Sequence, residues 1–130
     1  MDIKSILRNS RTIAVVGLSD KPDRPSFDVA TYLMQHGYTI IPVNPMIKEW
    51  CGIKSYSSLL EIPKEIKVDI VDIFRKSEDV PPIVDEAIKI GAKTVWMQLG
   101  VVNESTALKA KSSGLNVVMD KCIKIEHSML

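Results

Sequence analysis

The stretch Thr12 to Ser26, T-I-A-V-V-G-L-S-D-K-P-D-R-P-S, decides how the rest of the chain is read. Ile13, Val15 and Val16 are β-branched, and an uncharged run built on them predicts a strand buried on both faces. Gly17 ends the run, where it lets the backbone turn sharply and lets a phosphate come close without meeting a Cβ. The loop continues through Asp20, Pro22 and Asp23 to Arg24-Pro25-Ser26, with Ser26 expected to cap the following helix. Exposed N–H groups and the dipole at such a helix start favour an anion. Ser19 would add a hydroxyl and Arg24 a forked cation. The same loop also reads as an ordinary polar turn with a solvated arginine, because only Gly17 of the three glycines in the dinucleotide fingerprint is present.

Working outward, the strand-then-helix alternation repeats to the end of the chain. Ile3, Ile6 and Leu7 predict a short leading helix behind Asp2. From Ser26 onward Phe27, Ala30, Leu33 and Met34 form an apolar stripe closed by Gly37, with His36 in the last turn. Tyr38 to Val43 reads as a second strand, and Pro42 within it points to a strand end or an edge. Residues 46 to 56 read as irregular. Ser58 to Glu61 has capping-box spacing, Val68 to Phe74 is a third strand, and Ser77 is expected to cap the helix that ends at Gly91. Lys93 to Met97, a helix from Asn103 to 113, and a fifth strand from Leu115 to Met119 complete the pattern, before a short tail containing His127. Asp69 and Asp72 lie three apart in one strand, so they face opposite ways and cannot act as a catalytic pair.

Five strands joined by helical crossovers predict a single Rossmann-like α/β domain over residues 1–130, with helices on both faces of a parallel sheet. The expected strand order is 3-2-1-4-5, with the switch point beside the first strand. That topology sets Gly17, Ser19, Asn44, Phe74, Gln98, Gly100 and Cys122 on one rim, where open α/β sheets hold their ligands. Phe74 and Arg75 suit a base and a phosphate there, or equally a core ring and a surface cation. A nicotinamide-binding domain normally offers a carboxylate at the end of its second strand, and here Asn44-Pro45 stands instead.

Composition narrows the partners. Seventeen basic residues against sixteen acidic ones give no reason to expect nucleic acid or a membrane surface. Two cysteines, Cys51 and Cys122, are too few for a disulfide framework, and the chain has no secretory signal or long apolar run, so a reducing cytosol is expected. A homodimer is suggested by Trp50, expected to be exposed in its loop.

With these residues assembled, the chain resembles the small stand-alone coenzyme A-binding proteins, whose domain is similar to the CoA-binding domain of the succinyl-CoA ligase alpha subunit. The resemblance runs from about Ile6 to Glu126. It rests on V-G-L-S at 16–19, R-P-S at 24–26, P-V-N-P at 42–45, Y-S-S-L at 56–59, D-I-F-R at 72–75, W-M-Q-L-G at 96–100 and D-K-C-I at 120–123. It implies bound coenzyme A or acyl-CoA, with Gly17 and Ser19 at the pyrophosphate, and Arg24, Pro25 and Ser26 beside phosphate. Asn44 and Pro45 would flank the nucleotide, Phe74 and Arg75 would line the groove, and Gln98 and Gly100 would lie further along it. Cys122 completes the rim. The loop lacks the ligase's richer glycines, and neither His36 nor His127 stands in a segment matching its phosphorylated histidine. A binding module without catalysis of its own is therefore expected, with no residue assigned to catalysis or to a metal. The alternative is a dinucleotide-dependent oxidoreductase or a CoA-transfer enzyme using Cys122 as nucleophile, since Lys121 beside it would favour the thiolate.

Overall fold

A computed structural model describes residues 1–130. Five parallel strands form the main sheet: β1 (Thr12–Val16), β2 (Thr39–Val43), β5 (Ile70–Ile73), β6 (Thr94–Met97) and β7 (Asn116–Val118). Residues 46–56, expected to be irregular, instead contain a small antiparallel hairpin, β3 (Glu49–Trp50) and β4 (Ile53–Lys54). The helices are α1 (Ile3–Asn9), α2 (Pro25–Gln35), α3 (Val80–Lys89), α4 (Glu104–Ser112) and α5 (Ile123–Ser128), the last formed by the residues expected to be a tail. None is long and apolar enough to cross a membrane.

Alternation along the strands builds two cores. Ala14, Val16, Val71, Ile73 and Val95 face α3 and α4, packing on Val80, Val84, Ala87, Ala107 and Ala110. Ile13, Val15, Ile70 and Trp96 face the other way, onto Ile6 and Leu7 of α1, Val29, Ala30 and Leu33 of α2, and Ile123 of α5. Each fully buried aliphatic side chain of this kind contributes roughly 1.5–3 kcal/mol. Trp50 belongs to the second core. It is fully buried with its ring edge-on to Phe27, so the exposed Trp50 that had suggested a dimer contact does not exist.

The order of the main sheet is β2-β1-β5-β6-β7, so the third long strand lies beside the first and not outside the second as expected. Pro42 supplies the reason. Thr39 N–H donates to the Arg11 carbonyl and Gly17 N–H to the Val43 carbonyl, which turns Thr39, Ile41 and Val43 toward β1 and Pro42 outward. A residue without an N–H cannot support a full ladder on that side. Only Tyr56 pairs there, through a bridge to Val43 and two bonds, to the Pro42 carbonyl and from the Asn44 N–H. The next long strand takes the free side of β1, in register from Ile13 against Ile70 to Val16 against Ile73. The switch point thus falls between β1 and β5, with α2 above one face and α3 above the other.

Several caps follow the sequence and several do not. Asp2 accepts from Ser5 N–H and Asn103 from Thr106 N–H. Ser58 starts only a 3₁₀ turn, Leu59–Glu61, without a side-chain cap. Ser77 also starts a 3₁₀ turn, and its hydroxyl spans to the β6–α4 loop, accepting from Val102 N–H and donating to the Gly100 carbonyl. At the amino ends of the strands, Asp69 accepts from Arg11 and Thr12 N–H and lies 3.5 Å from the Lys93 ammonium, far from the carboxyl rim.

Candidate functional site

The rim at the carboxyl ends of β1 and β5 is knitted before any ligand is considered. Gly17 N–H donates to the Val43 carbonyl at 2.8 Å, and Phe74 N–H donates to the Val16 carbonyl at 2.9 Å. Gly17 has φ +87°, and a Cβ there would collide with the Phe74 carbonyl oxygen. The glycine is thus required by the neighbouring strand end itself, a reason the sequence does not display.

Beyond Gly17 the loop folds on its own hydroxyls. Ser19 N–H donates to Ser26 Oγ at 3.0 Å, and Lys21 N–H donates to Ser19 Oγ at 3.1 Å. Ser26 therefore does not cap α2 as expected. Arg24 holds the N-cap position with no side-chain bond, Pro25 opens the first turn, and the buried Ser26 fastens the loop. The start of α2 is left without a side-chain acceptor, which keeps its positive dipole end open to an anion.

Next to this helix start lies a cleft of about 840 Å³, a size typical of small-molecule sites. The structure brings nine of the expected residues to it: Gly17, Ser19, Arg24, Pro25, Ser26, Phe74, Arg75, Gln98 and Cys122. Four basic side chains, Lys21, Arg24, Arg75 and Lys76, line it against one acid, Asp79. Past β6 the lining turns apolar with Leu99 and Val101. Gln98 is buried, and its Oε1 accepts from Ile123 N–H at 3.1 Å, which ties β6 to α5 and positions Cys122 as part of the wall.

Three expected residues fall elsewhere. Pro45 lines a second pocket of about 230 Å³ with Ser57, Ser58 and Leu59, which shares Arg75 with the main cleft. Asn44 lines neither; it is buried, donating from Nδ2 to the Leu18 carbonyl and accepting at Oδ1 from Met46 N–H. An amide here splints the β1 and β2 loops together. Gly100 also lies outside both, its N–H bonded to Asp120 Oδ1 at 2.7 Å. Lys21, Lys76 and Leu99 also line the cleft, although no motif in the sequence singles them out. Each follows directly in a loop at a strand's carboxyl end, and that position is the signal that could have found them.

The remaining ionisable groups point to structure. Asp72 is wholly buried in β5 with both carboxylate oxygens unpartnered, and burial pushes its pKa well above the ordinary 3.8. His36 and His127 meet at the contact of α2 with α5, their ring centres 5.2 Å apart. His127 Nδ1 bonds the Tyr32 hydroxyl at 2.8 Å, while His36 Nδ1 donates to the Tyr32 carbonyl at 2.7 Å. Burial, then His36, lowers the pKa of His127. No three His, Cys, Asp or Glu side chains come together as metal ligands.

The doubly wound sheet and its basic cleft at the switch point define a Rossmann-like α/β domain. Within that class, the chain belongs to the family described as the CoA binding domain, whose model matches residues 11–128. It is 48% identical over 128 residues to the protein YneT of Bacillus subtilis (strain 168), covering 98% of this chain and 93% of that protein. A solved structure, a hypothetical protein from Pyrococcus horikoshii OT3, superposes with a TM-score of 0.94 at 43% identity, over 99% of this chain and 89% of the other. The alpha subunit of acetate–CoA ligase (ADP-forming) I from Pyrococcus furiosus is 37% identical over 97 residues. That match covers 68% of this chain but only 20% of the ligase subunit.

Proposed function

We propose that this chain binds coenzyme A, or an acyl-CoA, in the cleft at the β1–β5 switch point, and acts as a binding module without catalysis of its own. The observation that carries the reading is the concentration of Lys21, Arg24, Arg75 and Lys76 around an uncapped helix start at that rim. A diphosphate takes the helix end and the two arginines, which offer forked, charge-assisted bonds. The sheet order supports a layout for the rest of the ligand. Toward β2, past Arg75, the smaller pocket with Pro45 and the Ser57 and Ser58 hydroxyls suits the adenosine. Toward β6 and β7, the stretch from Gln98 and Leu99 to Cys122 suits the slender, less charged pantetheine arm. Gly17, Ser19 and Ser26 shape the turn beneath the phosphates.

Calorimetric titration of the ligand-free chain with CoA and, separately, NADH tests this. CoA should bind and NADH should not. Arg75→Ala should weaken CoA roughly 10- to 100-fold, as expected for a lost charge-assisted bond of about 1.5–3 kcal/mol, with little change in melting temperature. Binding of NADH with none of CoA would sink the reading in favour of a dinucleotide-dependent oxidoreductase.

A further inference from the structure

Cys122 lines the cleft wall, and the binding reading uses it only as lining and leaves its thiol without a task. It is half-buried, and its backbone is held from both sides. Lys121 N–H donates to the Met97 carbonyl, the Lys121 carbonyl accepts from Trp96 Nε1 at 2.8 Å, and Ile123 N–H is fixed on Gln98 Oε1. The backbone of Cys122 is thereby held at one place on the cleft wall. That place follows β7, the third strand over from β1, so along the rim it lies beyond Gln98 and Leu99 at the end of β6. Coenzyme A is itself a thiol, and its sulfur sits at the end of the arm opposite the diphosphate. A ligand anchored by its phosphates at β1 and β5, with its arm running along the rim, brings its sulfur toward Cys122. The second cysteine, Cys51, is exposed at the β3–β4 turn and lines no part of the cleft.

We propose that Cys122 is a thiol–disulfide exchange site for coenzyme A, at which the cleft guides CoA disulfide onto one cysteine. The inference rests on the CoA reading of the cleft. In the exchange the Cys122 thiolate attacks one sulfur of CoA disulfide, a new S–S bond forms between Sγ and that sulfur, and the old S–S bond breaks. One CoA leaves as its thiolate and takes up the proton that Cys122 lost to solvent. Cys122 is oxidised, the departing CoA is reduced, and the entering disulfide is the only oxidant. A free thiol reverses the step and releases the second CoA. The occupancy of the cleft thus responds to the ratio of CoA disulfide to CoA: the ligand is held covalently in oxidising conditions and is exchangeable in reducing ones.

The two cysteines supply an internal comparison. The full-length reduced chain is exposed to CoA disulfide or, in parallel, to the small uncharged hydroxyethyl disulfide, and the adducts are followed by intact mass and peptide mapping. CoA disulfide should mark Cys122 at least about tenfold faster than Cys51, while hydroxyethyl disulfide should favour the exposed Cys51. Desulfo-CoA should slow the first reaction only, dithiothreitol should reverse it, and Cys122→Ser should show no adduct in the cleft. Marking of Cys51 first by CoA disulfide, or of both cysteines at equal rates, would overturn the proposal. Firm calorimetric binding of CoA with Cys122 left unmarked would overturn the exchange site while leaving the binding reading intact. Absence of both would remove both.

Discussion

Replacing Asp72 with asparagine should stabilise the protein, and by more as the pH rises. Asp72 sits at a register position between Val15 of β1 and Trp96 of β6, fully buried, with neither carboxylate oxygen bonded. Burial raises its pKa well above 3.8, so the folded chain keeps a proton that the unfolded chain releases. For an acid whose folded pKa is raised, stability is greatest below the unfolded value and falls as the pH climbs toward the folded one. Within that window the loss is about 1.4 kcal/mol per pH unit. Each pH unit climbed inside it should cost the wild type on the order of 1 kcal/mol relative to Asp72→Asn, equivalent to a few degrees in melting temperature for a chain of this size. Asparagine keeps the shape and the unmet polar atoms but does not titrate, so the difference between the two proteins isolates the carboxyl. Urea denaturation of both at about pH 4.5 and 6.5 measures it. A difference that stays flat across that range would refute the reasoning, because it would mean that Asp72 is charged in the fold.

Gly17→Ala should destabilise by about 3 kcal/mol or more, since it adds left-handed backbone strain to a clash with the Phe74 carbonyl. Gly114→Ala has a similar φ of +89° but open space around it, and should cost only about 1–2 kcal/mol; equal losses in urea would discard the clash. His127 has its pKa lowered, so the unfolded chain takes up a proton more readily. Its contribution is therefore present above pH 6.5 and lost as the pH falls. Melting curves from about pH 7.5 down to 5.5 should show the wild type losing ground to His127→Gln, and parallel curves would count against it.

Much of the fold was legible because local and global signals agree along β1. Ile13 to Val16 read as a doubly buried strand and are one, and the alternation placed five parallel strands with helices on both faces. The order was harder, although Pro42 carried the information: its missing N–H made β2 an edge, which excludes a third strand beyond it. Nine of the expected site residues share the cleft because strand ends dictate position almost regardless of loop detail. Hydroxyls and amides were the weak point. Ser26, Ser77 and Asn44 each have several partners within reach, and the choice among them depends on contacts with Ser19, Val102 and Leu18, which sequence spacing does not reveal. Trp50 looked like a loop residue because two-residue strands such as β3 leave no periodic trace.

If the cleft holds CoA as proposed, the backbone contact between Gly17 and Phe74 bears on how quickly that ligand is captured. Because two strand ends are bonded and touching there, the floor of the cleft is finished before anything arrives, and capture needs no rearrangement of it. Four cations gathered on a chain of nearly balanced charge form a local electric funnel, so the speed of capture belongs to the salt concentration of the surroundings as much as to the protein.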